Sequence, residues 1–312
     1  MPTARHGDIE LSYETPGPPE GEPLLLISGT GVQMLIWPDE FCAALADSGF
    51  QVARFDNRDA GLSTRLTAQP APGWLKAMVH PAAAPYRLDD MAGDAVAVLD
   101  ALGWPSAHIV GTSLGGMIGQ VLAIRHPARV RTLTSVMSTP SARIGTMPTL
   151  RVMRVLGQLA SRPATSPEQA ADQAVALKRV TGSPGYPLDE ALVRDIARRS
   201  FIRDPGGGAA DLRQRAAVIA SGDRRRALAG LCLPVLVMHG QQDPLVRPQA
   251  GRATAAAIPD AKLVCYPGMG HDLPRELWPS IVAEISALAA RSARSPAWPA
   301  GLPVDLGRHG GQ

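Results

Sequence analysis

The chain reads as an α/β protein: a mostly parallel central sheet flanked by helices, with a helical segment inserted between two core strands. Three observations predict this. Short apolar runs of strand length recur at 24–27, 51–55, 107–110, 130–136, 234–240 and 262–266. Segments with helical spacing separate several of them, which is the alternation that parallel βαβ units require. From 138 to 229 the texture changes to helical periodicity with little β-branched content, a stretch of roughly ninety residues and far beyond an ordinary loop.

At the N-terminal end, 3–6 and 9–14 flank Gly7-Asp8, a hairpin turn signal. A Pro/Gly/Glu-rich surface loop covers 15–22, followed by the strand 24–27, a helix over 38–48 and the strand 51–55. Asp56-Asn57-Arg58-Asp59-Ala60-Gly61-Leu62-Ser63 comes next. Its short polar side chains suit local backbone hydrogen bonds, so it reads as a loop bracing the neighbouring strand rather than as a metal site. Residues 67–85, Pro- and Ala-rich with Trp74 and Met78, are expected near the mouth of a site. Met91, Ala95, Val98, Leu99 and Leu102 form a helical stripe over 88–102, and Gly103 ends it.

The inserted segment is broken at Pro163, Pro167, Gly182-Ser183-Pro184-Gly185 and Pro205-Gly206-Gly207-Gly208. Met147, Leu150, Met153 and Leu156 read as packing residues, or as the underside of a cap. The core resumes at Leu233, and a helix over 276–290 closes it. The resulting division is 1–137 as the first part of the core, 138–229 as a helical cap, 230–291 as the second part of the core, and 292–312 as a flexible Pro/Gly-rich tail.

Composition narrows the class. Of 312 residues 45% are hydrophobic and 19% charged, the balance of a folded domain. The net charge is +3, and Lys76, Lys178 and Lys262 are the only lysines among 31 basic residues. The basic residues are scattered, and the densest run, Arg224-Arg225-Arg226, reads as a solvated helix face, so nucleic acid is not expected as a partner. Cys42, Cys232 and Cys265 have neither metal-ligand spacing nor a disulfide framework, and Cys265 reads as a buried thiol. No apolar run reaches membrane-spanning length, and the first residues lack a signal-peptide pattern. A cytoplasmic protein without metal or cofactor is expected; oligomeric state is not legible.

Chemistry concentrates at three loops. Gly111-Thr112-Ser113-Leu114-Gly115 stands between the apolar strand ending at Val110 and a helix beginning at Gly116. G-x-S-x-G in that setting is a nucleophile elbow, in which a tight turn holds the Ser hydroxyl above the sheet. Small residues two before and two after Ser113 are needed because side chains there would crowd the turn. A nucleophilic serine requires a base, and the base an orienting acid. Asp243 follows the strand 234–240, and His271 follows the strand 262–266 through Pro267-Gly268-Met269-Gly270. All three therefore lie past strand C-termini, on the edge of a parallel sheet where ligands bind.

The remaining requirement is a pair of backbone N–H groups for a developing oxyanion. Leu114 supplies one at the start of its helix, and Thr30, in the Ser28-Gly29-Thr30-Gly31 loop after the early strand, supplies the other. His239 and His108, set in strands, read as structural. Asp272 either faces away from the site or serves a helix N-terminus. His6, His80, His126 and His309 have no acid-loop context.

With these residues assembled, the chain resembles the α/β-hydrolase superfamily over about 5–290, including the order Ser, Asp, His. Within it, Trp37-Pro38-Asp39-Glu40-Phe41, Arg54-Phe55-Asp56-Asn57-Arg58-Asp59-Ala60-Gly61-Leu62-Ser63 and Gly268-Met269-Gly270-His271-Asp272-Leu273-Pro274 look like the aclacinomycin methylesterase group. Gly182-Ser183-Pro184-Gly185-Tyr186-Pro187-Leu188-Asp189 is similar to that group as well; Thr30 stands where the group has a small Gly. The resemblance implies removal of a methyl ester from an anthracycline polyketide, with Ser113, Asp243 and His271 as the triad and the Thr30 and Leu114 N–H groups as oxyanion donors.

Because fold does not fix function, three readings stay open. The leading one is a serine hydrolase that cleaves a small-molecule carboxylic ester through an acyl-enzyme. A haloperoxidase (perhydrolase) or decarboxylase of the same fold is the second, separated by turnover of a generic p-nitrophenyl ester. A ligand-binding module is the third; it has no need of Asp243, and failure of a fluorophosphonate probe to label the protein is its signature.

Overall fold

The computed structural model describes residues 1–206 and 208–292. Apart from Ser292, the stretch read as a flexible tail lies outside the described residues. Eight strands form one sheet: β1 (Thr3–His6), β2 (Ile9–Glu14), β3 (Glu22–Ile27), β4 (Phe50–Phe55), β5 (Ala107–Thr112), β6 (Val130–Val136), β7 (Val235–Gly240) and β8 (Lys262–Tyr266). Their spatial order is β1-β2-β4-β3-β5-β6-β7-β8. The β1–β2 and β2–β4 pairs are antiparallel, and every later pair is parallel.

The helices are α1 (Asp39–Asp47), α2 (Trp74–Val79), α3 (Leu88–Ala101), α4 (Leu114–Arg125), α5 (Leu150–Ala160), α6 (Pro167–Thr181), α7 (Glu190–Arg203), α8 (Gly208–Ala220), α9 (Arg225–Leu228), α10 (Gln249–Ala256) and α11 (Trp278–Ser292). Five of them, α5 to α9, lie in the segment between β6 and β7. No helix among the described residues is long and apolar enough to cross a membrane.

Central strands covered on both faces show no polar alternation, because both sides of the pleat are buried. Leu24 and Leu26 of β3 pack with Val110, Leu236 and Met238 against α1 and α11. Their neighbours Leu25 and Ile27 pack with Ile109, Leu133 and Val237 against α3 and α4. Each such leucine removed from water contributes about 1.5–3 kcal/mol, so the two cores fix the sheet between two helical layers. Helix α4 is buried from Leu114 to Ala123 and runs under the sheet centre.

Topology then locates a crevice. From β3 the chain crosses to β4 on one side, and from β5 it crosses to β6 on the other. The loops after β3 and β5 therefore diverge, and the C-terminal ends of these adjacent strands form the switch point of the sheet.

Several expectations need amendment. Helix α2 lies within 67–85, the stretch expected near the mouth of a site, and α10, behind Pro248, is a helix that the sequence reading does not include. Cys265 is half-buried, because β8 is an edge strand and is covered less completely; Cys42 is buried and Cys232 exposed. Arg224 is not part of a solvated face. It donates to the Gln120 side chain and the Thr139 carbonyl, and burial pulls its guanidinium down to about 10.

Candidate functional site

Ser113 joins β5 to α4 with φ 53° and ψ −115°. Positive φ in a non-glycine residue costs on the order of 1–3 kcal/mol and persists only where surrounding structure enforces it. Here the Ser113 N–H donates to the Val136 carbonyl at 2.9 Å, and the Ser138 hydroxyl donates to the Ser113 carbonyl at 2.7 Å. The glycines of the motif are required by close approach. A Cβ on Gly111 would lie 2.2 Å from the Gly115 backbone, and one on Gly115 would lie 2.1 Å from the Ile27 carbonyl oxygen. Leu114 is the first residue of α4, so its N–H has no acceptor within the helix and stands at the positive end of the helix dipole.

The loop after β3 lies beside this turn. A Cβ on Gly29 would stand 3.4 Å from Ser113 Cβ, an ordinary contact distance. The Ser28 carbonyl accepts from the Asn57 side chain at 3.0 Å, and the Gly31 N–H donates to Gln214 Oε1 of α8 at 2.7 Å. Thr30 stands between these two anchors.

Asp243 and His271 meet across the loops after β7 and β8. His271 Nδ1 is 2.7 Å from Asp243 Oδ2, while Asp243 Oδ1 accepts from the Leu245 and Val246 N–H groups at 2.9 Å each. Asp243 is buried, and its carboxylate is held from both sides. The two loops are also joined through their backbones: Gln241 N–H donates to Tyr266 and Gln242 N–H to Met269. A Cβ on Gly240 would lie 2.3 Å from the Met269 carbonyl, which is why glycine ends β7. His271 is fixed further by its own N–H, which donates to Thr181 at the end of α6 at 2.7 Å.

The structure thus brings Asp243 to His271 and the Ser28–Gly31 loop to Ser113, all at the C-terminal edge of β3, β5, β7 and β8. Among the described residues, no hydrogen bond joins the Ser113 hydroxyl to His271.

The other polar residues have structural partners. His108 lies between Thr132 Oγ1 at 2.9 Å and Glu22 Oε2 at 2.8 Å. His239 is buried beneath Asp243 with Nε2 2.9 Å from the Val246 carbonyl, and burial holds its imidazole below the ordinary pKa. Asp272 turns away to accept from Ser183. In the Asp56–Ser63 run the carboxylates meet arginines: Asp56 pairs with Arg203 and Asp59 with Arg213, while Tyr86 also donates to Asp59. Burial and the Asp59 carboxylate together push the Tyr86 hydroxyl far up. That loop is a brace, as its short polar side chains suggest.

Sequence reasoning missed Arg203, Arg213, Gln214 and the Thr181–Ser183 contact with the His271 loop. The last had a faint signal in Gly182 and Gly270: a Cβ on Gly270 would lie 2.1 Å from the Gly182 carbonyl. The arginines had none, since nothing in a helix sequence says which loop its polar face will meet.

A sheet of this order, with Gly-x-Ser-x-Gly after its fifth strand, has a known family. A model of the α/β-hydrolase fold matches residues 22–274. The chain belongs to that family. This α/β hydrolase is 32% identical over 299 residues to rhodomycin D methylesterase from Streptomyces sp. (strain C5), spanning 90% of this chain and 95% of that one. It is 31% identical over 310 residues to the rhodomycin D methylesterase of Streptomyces peucetius, covering 92% and 98%. Among solved structures, the enol-lactonase from Burkholderia xenovorans LB400 aligns with a TM-score of 0.69 at 25% identity, over 93% of this chain and 100% of that one.

Proposed function

We propose that this hydrolase cleaves a carboxylic ester through an acyl-enzyme on Ser113, and that its substrate is a methyl ester of the rhodomycin type. The observation that carries the mechanism is the His271–Asp243 pair on the sheet edge that also carries the strained Ser113. Asp243, acceptor-only and buried, holds Nδ1 protonated and leaves Nε2 as the base. Ser113 Oγ attacks the ester carbonyl while its proton passes to His271. The tetrahedral oxyanion is met by the Thr30 and Leu114 N–H groups. Collapse breaks the acyl–oxygen bond, and His271 returns the proton to the leaving alkoxide, releasing methanol. Water then attacks the acyl-enzyme, giving its proton to His271; the second collapse releases the acid and restores the Ser113 hydroxyl.

The methyl-ester assignment rests on the likeness to the two Streptomyces methylesterases along nearly their whole length. The helices of 138–229 act as a cap that selects the substrate, since Arg203, Arg213 and Gln214 dock them against the loops beside the crevice.

Methanol release from rhodomycin D, compared with p-nitrophenyl acetate turnover by the same preparation, tests both levels. Hydrolysis of both, with each lost by about 10⁴–10⁶ in kcat in Ser113→Ala, is expected. Turnover of the p-nitrophenyl ester alone overturns the methyl-ester assignment; full activity in Ser113→Ala overturns the mechanism.

A further inference from the structure

We propose that Gln214 is a positioning residue for the oxyanion hole, which it sets from the helical insertion rather than from the sheet. The inference rests on the reading of Thr30 as an oxyanion donor. The Thr30 N–H belongs to the Gly29–Thr30 peptide, and the peptides on either side of it are each held by one side chain. Before it, the Ser28 carbonyl accepts from Asn57 Nδ2 at 3.0 Å. After it, the Gly31 N–H donates to Gln214 Oε1 at 2.7 Å. The first anchor comes from the loop after β4, within the sheet domain. The second comes from α8, 183 residues along the chain from Gly31 itself.

Three features make Gln214 a built clamp rather than an incidental neighbour. Its side chain is fully buried, and both ends of its amide are used: Oε1 on Gly31 and Nε2 donating to the Arg58 carbonyl at 2.8 Å. Arg58 adjoins Asn57, so both anchors are tied to one brace. Arg213, the preceding residue, holds α8 down through its two-pronged pair with Asp59. Finally, Gly31 has φ +67°, and glycine gains most conformational freedom when a restraint is lost. Without Gln214 the next restraints on the C-terminal side of Thr30 are at Gln33, whose side chain donates to the Ser200 carbonyl, and at Met34, whose N–H donates to Asp56 Oδ1, so the Thr30 N–H loses its nearest downstream anchor.

Oxyanion stabilisation is felt in the transition state more than in the bound ester, so a loosened donor lowers kcat and leaves KM nearly unchanged. The test uses the full-length enzyme and a short p-nitrophenyl ester. Gln214→Met keeps the volume and removes both hydrogen bonds; Gln214→Glu, as the neutral acid that burial against the Arg58 carbonyl favours, keeps an acceptor for the Gly31 N–H and a donor for that carbonyl. We expect kcat of Gln214→Met to fall about 10- to 100-fold with KM within about twofold, and Gln214→Glu to recover most of the loss. If Gln214→Met does not fold, Gln214→Asn, one methylene too short to reach Gly31, is expected to give the same split. A merely structural glutamine lowers Tm and leaves kcat of the folded protein unchanged; that result, or equal losses in the Met and Glu variants, overturns the proposal. Ser113→Ala, assayed alongside, separates the two claims. If it is inactive while Gln214→Met turns over at the wild-type rate, only the role of Gln214 fails. If it retains wild-type turnover, the serine mechanism fails and the oxyanion role with it.

Discussion

Arg213 and Asp59 face each other across the seam between the helical insertion and the sheet, with Nη2 2.6 Å from Oδ1 and Nε 2.9 Å from Oδ2. Both side chains are almost wholly buried, at 3% and 0% exposure. Removing one partner leaves the other charge buried and unpaired, at a cost of about 3–5 kcal/mol. Arg213→Met is therefore expected to unfold at clearly lower urea than wild type, while the exposed pair Arg225–Asp223 can be broken by Arg225→Met with little effect. Urea titration of both variants checks this; equal midpoints contradict the reading of Asp59 as the anchor of the insertion.

Gly115 is the tightest steric point of the Ser113 turn. A methyl group there meets the Ile27 carbonyl at 2.1 Å, a backbone atom that cannot swing aside. Gly115→Ala is expected to cost at least about 1–3 kcal/mol and to displace β3 from α4, lowering both Tm and turnover. Gly157→Ala, an exposed position inside α5 where a Cβ meets nothing within 4 Å, is the control and is expected to leave turnover unchanged and Tm unchanged or slightly raised, since alanine favours the helix. A Gly115→Ala enzyme as stable and active as that control contradicts the packing described at the turn.

Acid stability follows from two buried imidazoles. Burial holds both His239 and His108 below their ordinary pKa, with the Glu22 carboxylate partly opposing this at His108. As pH falls below about 6.5 the unfolded chain takes up protons at these positions before the folded one does. Stability is thus full above that pH, is lost as pH falls through the window between the unfolded and folded values, and levels off below it. Tm measured between about pH 8 and 5 is expected to fall less steeply in His239→Gln than in wild type. Parallel slopes contradict a neutral, buried His239.

The parts legible in the sequence were those set by local pattern. Buried central strands announce themselves as apolar runs, and β5, with Gly111 and Gly115 around Ser113, could be read at once. Asp243 and His271 were legible because each directly follows such a run, and the parallel sheet carries both to one edge. What stayed hidden depends on tertiary docking. Arg203 and Arg213 sit on helices whose polar residues look like solvent-facing ones until α7 and α8 are laid over the Asp56–Ser63 loop. Arg224 was misread for the same reason: three successive arginines look solvated, yet the first turns inward to Gln120 and the Thr139 carbonyl. Cys265 erred in the opposite sense, since an apolar strand gives no sign that it will be the edge of its sheet.

A covalent intermediate on Ser113 is tested most directly by intact-protein mass spectrometry of enzyme quenched during turnover of a slowly deacylating ester. One acyl group per chain is expected, located by peptide mapping on Ser113 and absent from Ser113→Ala. An unmodified protein under conditions of continuing turnover, or an acyl group carried by any other residue, would contradict it.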